Sequence, residues 1–178
     1  MGQPVSAVPM TDASADEVRL RGSLNVPLSA AEQQRLLDEA RRVLRPGGRL
    51  FVHVLVADRP LQGPPELPGP AAYVRHVPLE SEPPHLLEQA GFVGMRLLKF
   101  DAKPCFVRGE ANLRELQLEG WKPAAAGNGE RAALYKGPFR QVTDDTGTVY
   151  PRAKRVRIDA EDAERLQRSG AGEQFLFL

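Results

Sequence analysis

The clearest hydrophobic pattern flanks a single Pro-Gly-Gly segment. Before it, Leu36, Leu37, Ala40, Val43 and Leu44 recur at helical spacing on one stripe, while Glu32, Gln33, Arg35, Asp38, Arg41 and Arg42 fill the other side. Ser29 followed by Glu32 is a capping box at the start of that helix. Arg41 and Arg42 fall in its last turn, where the macrodipole favours cations. Arg45-Pro46-Gly47-Gly48 predicts a type II turn, with Pro presetting the second position and Gly taking the third, where φ is positive. Leu50 to Val56 is almost continuously apolar and β-branched, the pattern of a strand buried on both faces beneath helices. Helix, turn and strand from Ser29 to Ala57 predict one αβ unit of a doubly wound domain.

Around this unit the pattern weakens. Met1 to Ser14 is small, polar and Pro-containing and predicts a mobile tail. Glu17 to Leu20 predicts a short strand. Asp58 to Pro84 is rich in Pro and Gly, so a long, stiff, irregular excursion is expected, either a lid over a site or a plain surface loop. A short helix follows from Pro83/Pro84 to Ala90, with Ser81 or Glu82 near its cap and Gly91 as its stop. Val93 to Phe100 is a strand candidate, and Asn112 to Trp121 alternates as an antiparallel strand with one wetter face. Residues 124–130 have linker composition. Beyond them, Ala132 to Lys136, Arg140 to Thr143, Thr148 to Tyr150 and Arg155 to Ile158 predict short strands, with Asp144 to Gly147 as a turn. Asp159 and Asp162 cap a short helix to Arg168, and Phe175 to Leu178 closes as a strand. The expected organisation is a tail over 1–14, an α/β domain over 15–123, a linker over 124–130 and a small β-rich module over 131–178.

Composition sets limits on function. The chain has 178 residues, 42% hydrophobic and 26% charged, with a formal net charge of +1. That charge recommends neither nucleic acid nor an anionic membrane as partner. Its single cysteine excludes an intrachain disulfide framework and a cysteine-cluster zinc site. No apolar run reaches the length of a spanning helix, and the first residues lack the charged and apolar regions of a signal peptide. A cytoplasmic protein is expected.

Open α/β sheets bind ligands beyond the carboxyl ends of their strands, which makes Ser23, Asn25, Asp58 and Arg59 the residues nearest a site. Each has a competing role in shaping or solvating a loop. Tyr73, Arg75 and His76 are the most chemically capable residues of the long excursion. His53, within the buried strand, reads as a hydrogen-bonded core histidine, since no second ligand stands at metal-binding spacing. Cys105 has Lys103 and Arg108 beside it, which would favour the thiolate; the alternative is a buried, inert cysteine. Asp144 and Asp145 read as turn chemistry rather than a metal pair.

The segment EARRVLRPGGRLFVHV resembles the helix, turn and fifth strand of class I S-adenosylmethionine-dependent methyltransferases, and LLEQAGF resembles the last helix and following turn of that fold. The segment from Lys103 to Arg108, followed by LRELQLEGWK, is similar to the region after the sheet in arsenite methyltransferase-like proteins. YKGPFRQVTDDTGTVYPRAKRV resembles their small C-terminal module. The resemblance implies a partial Rossmann-like α/β sheet made of the late strands and helices, with an antiparallel edge pair, plus a mainly-β module. It spans Glu17 to Trp121 and aligns with the second half of the domain.

The Gly-rich turn that approaches the cofactor in this family has no counterpart here, so no cofactor residue carries over. The family implies S-adenosylmethionine as cofactor and a small-molecule methyl acceptor, with Cys105, Asn25, Tyr73 and His76 as substrate-side candidates. Three readings stay open. The chain is an enzyme completed by a complementary chain, a non-catalytic binding domain, or a half-sheet that associates with a second copy.

Overall fold

Ser29 caps helix α1 (Ala30–Val43) as the pattern predicts. Its backbone N–H donates to Glu32 Oε2 at 2.7 Å, and its hydroxyl oxygen accepts from the Glu32 N–H at 3.4 Å. The helix buries Leu37, Ala40 and Val43, and the chain passes directly into strand β2 (Leu44–Ala57). These features belong to a computed structural model that describes residues 7–124 and 129–178.

The Pro-Gly-Gly segment is a bulge inside β2 rather than a turn before it. Strand β1 (Ala15–Arg21) pairs parallel to β2; while β1 advances from Ala15 to Glu17, β2 advances from Leu44 to Arg49. Gly47 takes φ +73°, as the turn chemistry requires. A Cβ at Gly48 would stand 2.8 Å from the Arg45 carbonyl oxygen, so only glycine fits there.

Helix α2 (Glu82–Gln89) follows, with Ser81 at its N-cap position but making no side-chain cap bond. Strands β3 (Val93–Phe100), β4 (Phe106–Arg108) and β5 (Ala111–Trp121) complete the sheet. Its order is β1-β2-β5-β3, with β4 also paired to β5. Strand β5 runs antiparallel to β2, β3 and β4, so the expected mixed sheet with an antiparallel edge pair is present.

One expectation fails. Strand β2 is not buried on both faces. Leu50, Val52, Val54 and Val56 are buried in one core with Leu37 and Ala40 of α1, Leu87 of α2, and Leu116 and Leu118 of β5. The alternate residues Arg49, Phe51, His53 and Leu55 are only half-buried. Both helices lie on one side, and the opposite side of the sheet is partly open.

The tail expected to be mobile from Met1 to Ser14 falls partly on residues 1–6, outside the described ones. From Val8 onward it is tied to α1. Arg42 donates to the Val8 and Met10 carbonyl oxygens at 3.1 and 2.9 Å and pairs with Asp12 at 2.6 Å, while Val8 N–H donates to Glu39 at 2.6 Å.

The C-terminal module carries its own core of Tyr135, Tyr150, Ile158, Ala163, Leu166 and Phe175. Strand β6 (Glu130–Tyr135) is central in a sheet of order β10-β6-β9, with β9 (Arg155–Asp159) and β10 (Phe175–Phe177) at its sides. Strands β7 (Gln141–Thr143) and β8 (Val149–Pro151) form a hairpin around the Asp144 turn, and Asp159 caps α3 (Ala160–Arg168). Of the expected linker, residues 125–128 lie outside the described ones; Ala124 N–H donates to Glu161 at 2.6 Å. The module docks on the outer edge of β3, where Asp145 accepts the Met95 N–H at 2.9 Å.

Candidate functional site

The site lies where β1 and β2 end and the sheet's open face begins. Strand β1 stops pairing at Arg21, opposite His53. Two residues later along β2, the side chain of Asn25 takes over the role of a β1 peptide. Its Oδ1 accepts the Leu55 N–H at 2.9 Å, and its Nδ2 donates to the Leu55 carbonyl at 2.8 Å and to the His76 carbonyl at 3.0 Å. The Asn25 carbonyl also accepts the N–H groups of Arg75 and His76. Asn25 is 5% exposed, and these partners occupy both ends of its amide. It positions the excursion and is not free to hold a ligand.

The excursion is a largely exposed surface segment pinned down by a few apolar side chains. Leu61, Leu67, Ala71, Val74 and Val77 pack on Leu55, Ala57, Leu113 and Phe106, covering the carboxyl end of the open face. Ala57 N–H donates to the Pro78 carbonyl, and the Ala57 carbonyl accepts from Glu80 N–H. Two cavities flank the segment after β2. One, of about 250 Å³, is lined by Arg75, His76, Leu61, Leu79 and Glu82. The other, of about 350 Å³, is lined by Arg59, Gln62, Arg108 and Glu110. Tyr73, at the end of a 3-10 turn (Gly69–Tyr73), is 83% exposed and stands in solvent.

Asp58 is fully engaged. Its two carboxylate oxygens accept from Asn112, one from the backbone N–H at 2.9 Å and one from the side-chain amide at 2.8 Å. These bonds hold its carboxyl below the usual carboxylate range. Arg59 pairs with Glu110 at 3.3 Å.

Strand register places Glu17, Arg19 and Arg21 of β1, Arg49, Phe51 and His53 of β2, and Glu115, Gln117 and Glu119 of β5 on the open face. There His53 is 38% exposed, with Nε2 2.6 Å from Glu115 Oε1, so it is a surface-facing partner and not a core histidine. Lys99 pairs with the other Glu115 oxygen. The Lys99 contact is the main cause of the lowered Glu115 pKa, and Gln117 and His53 add to it. The Lys99 pKa is raised chiefly by Glu115, with Asp101 and Cys105 contributing less.

Glu119, buried between Arg49 at 3.1 Å and Arg96 at 2.6 Å, anchors a second cluster that continues through Arg49 to Glu17 and Arg19. Cys105 is exposed, contrary to the expectation of a buried thiol; its Sγ–H donates to the Leu113 carbonyl at 3.2 Å. His53, Lys99 and Glu115 were not recognisable as a group from sequence, because they sit on three strands. Only β-register brings them together.

The described residues do not by themselves fit S-adenosylmethionine. The turn after β1 holds one glycine, Gly22, at φ +68°, and not a Gly-rich run. Among the described residues no cluster of three His, Cys, Asp or Glu is placed to hold a metal ion, and no helix is long and apolar enough to cross a membrane.

Comparison with known proteins agrees with this architecture. Residues 2–52 match a family model described as a methyltransferase domain, and residues 123–178 match one described as a domain of unknown function (DUF8838). No curated protein matches the chain. Among solved structures, an arsenic(III) S-adenosylmethionine methyltransferase from Chlamydomonas reinhardtii is 22% identical with a TM-score of 0.50, over 96% of this chain and 61% of that one. A methyltransferase from Methanosarcina mazei is 19% identical with a TM-score of 0.45, over 66% and 64% of the two chains. A 1,6-didemethyltoxoflavin-N1-methyltransferase from Burkholderia thailandensis is 24% identical with a TM-score of 0.40, over 63% and 45%. This chain thus spans less than two thirds of the length of each. In fold the chain resembles the class I S-adenosylmethionine-dependent methyltransferases, and its likeness to the Chlamydomonas enzyme takes in the C-terminal module.

Proposed function

We propose that this chain supplies the acceptor side of an S-adenosylmethionine-dependent methyl transfer, with the cofactor's cradle completed by a complementary chain. The observation that carries this reading is the sheet order β1-β2-β5-β3 ending at β1. The module meets the first half of the β3 edge at Met95, whereas the outer edge of β1 has no strand partner among the described residues. An uncovered edge is a template for a further strand. Methyl transfer is chiefly a matter of aligning acceptor, methyl carbon and sulfonium, and the acceptor side is what the packed excursion, the His76 cavity and the open face would provide. Cys105 is the exposed soft donor near that side, suited to a thiophilic atom such as the arsenic named for the Chlamydomonas enzyme.

The free β1 edge equally favours a second reading, a non-catalytic domain that associates with its own copy. Calorimetric titration of the chain with S-adenosylmethionine, with oligomeric state measured in the same buffer, tests both. A monomer that binds no cofactor alone, and binds it once a partner chain is added, supports the split enzyme. Saturable one-to-one binding by the chain alone would overturn it. A dimer that binds no cofactor favours the second reading.

A further inference from the structure

A groove of about 260 Å³ runs between the sheet and the C-terminal module, at the amino end of β2 and so at the opposite end from the candidate site. Its sheet wall is Trp121 beside Val93, with Lys122 and the Arg45-Pro46-Gly47 bulge; its module wall is the face of α3 bearing Arg165 and Arg168. Cationic residues thus stand on both walls of a groove that an aromatic side chain also lines.

Several of these cations retain binding capacity. Lys122 Nζ donates to the carbonyls of Arg41 and Leu44, each at 2.7 Å, which leaves one of its three donors. Arg165 uses one nitrogen, Nη2, for both Asp144 and Asp162. Arg45 pairs with Asp16 and Arg168 with Glu164, but both pairs are well exposed and hold little energy. Either guanidinium can turn to a ligand at small cost. The groove also carries acids: Glu161 accepts the Ala124 N–H at 2.6 Å, and Glu164 is the exposed partner of Arg168.

We propose that this groove binds a planar aromatic anion. The ring would lie on Trp121, and its acidic group would be held by Arg45 or Arg168 and the spare donor of Lys122. Because the groove is walled by both units, such a ligand joins the module to the sheet. The site is separate from the proposed methyl-transfer side and stands or falls without it.

The chain contains one tryptophan, so its indole N–H gives one cross-peak in a nitrogen-15 correlation spectrum. The test titrates the labelled full chain with benzoate and, separately, with its neutral isostere benzamide. Benzoate should move the Trp121 peak along a saturating curve, and benzamide should need roughly tenfold more to do the same, since a charge-assisted bond is lost. Arg168→Gln and Arg45→Gln, both at exposed positions, should each weaken benzoate several-fold while leaving the remaining spectrum in place. A linear, non-saturating shift, equal response to benzamide, or unchanged benzoate binding in both variants would each overturn the site.

Discussion

The Glu119 carboxylate sits 2.6 Å from Arg96 and is 1% exposed, although it lies on the sheet's partly open face. Arg49 takes its other oxygen at 3.1 Å. Removing one member of such a cluster leaves like charges without their counter-ion. Both guanidiniums are more than a third solvent-exposed, which screens part of the loss. Glu119→Gln should therefore destabilise the fold by about 2 kcal/mol, below the roughly 3–5 kcal/mol that breaking a fully buried pair costs. Urea unfolding should show a lower midpoint with an unchanged slope. A variant as stable as the parent would show that the cluster contributes nothing net.

Asn25→Ala should act through the backbone it serves. It leaves the Leu55 N–H and carbonyl without their partner on the β1 side and releases the His76 carbonyl. Unpaired buried polar groups cost about 1–3 kcal/mol each, partly recovered if water enters. The chain should lose stability, and its 59–77 segment should become the first site of limited proteolysis. Unchanged cleavage of that segment would mean that its apolar packing alone holds it.

These two sites mark what sequence could and could not reveal. The Ser29 cap, the α1 stripe and the β2 core follow from short-range spacing, and so were legible. The open face was not, because Phe51 and Leu55 are apolar although half-buried, which hid the alternation of β2. His53 looks isolated in sequence because Glu115 lies on a strand that returns antiparallel only after a 3-10 turn, a helix and two other strands. Asn25 looked like a loop residue, since its main partner, Leu55, is thirty positions away. The excursion is irregular, as its composition predicts, yet Leu61, Leu67, Val74 and Val77 give it a small core shared with β2, β4 and β5. Proline content predicts backbone shape and says little about packing.

Stability should fall in acid. Glu17, Glu39, Asp58, Glu115 and Asp144 all have carboxyls held below their ordinary values, Glu39 down to about 2 by Arg42 and the Val8 N–H. For Asp144, burial pushes upward, but Thr146, Tyr150, Arg165 and Thr148 outweigh it. A depressed folded pKa means that the unfolded chain binds more protons, so this stabilisation is present above the unfolded value and disappears as pH falls through the folded one. Unfolding free energy should decline from about pH 5 downward. Asp144→Asn should flatten part of that slope; an identical pH profile in the variant would remove Asp144 from the account.

The module's hold on the sheet rests in part on one bond that sequence assigned to a turn. Asp144 does make the turn, accepting from the N–H groups of Thr146 and Thr148 at 3.0 Å. Its neighbour Asp145 points elsewhere and accepts the Met95 N–H on the outer edge of β3. Asp145→Ala should leave the hairpin intact, because the turn bonds belong to Asp144, and should cost about 1 kcal/mol, the usual net worth of one such bond. The discriminating measurement is hydrogen exchange. The Met95 amide should exchange much faster in the variant, while amides of β6 and β9, paired within the module, keep their protection. Equal protection at Met95 would show that packing around Gly94 and Arg165 excludes water without the carboxylate. Loss of protection throughout the module would instead show that its fold depends on docking.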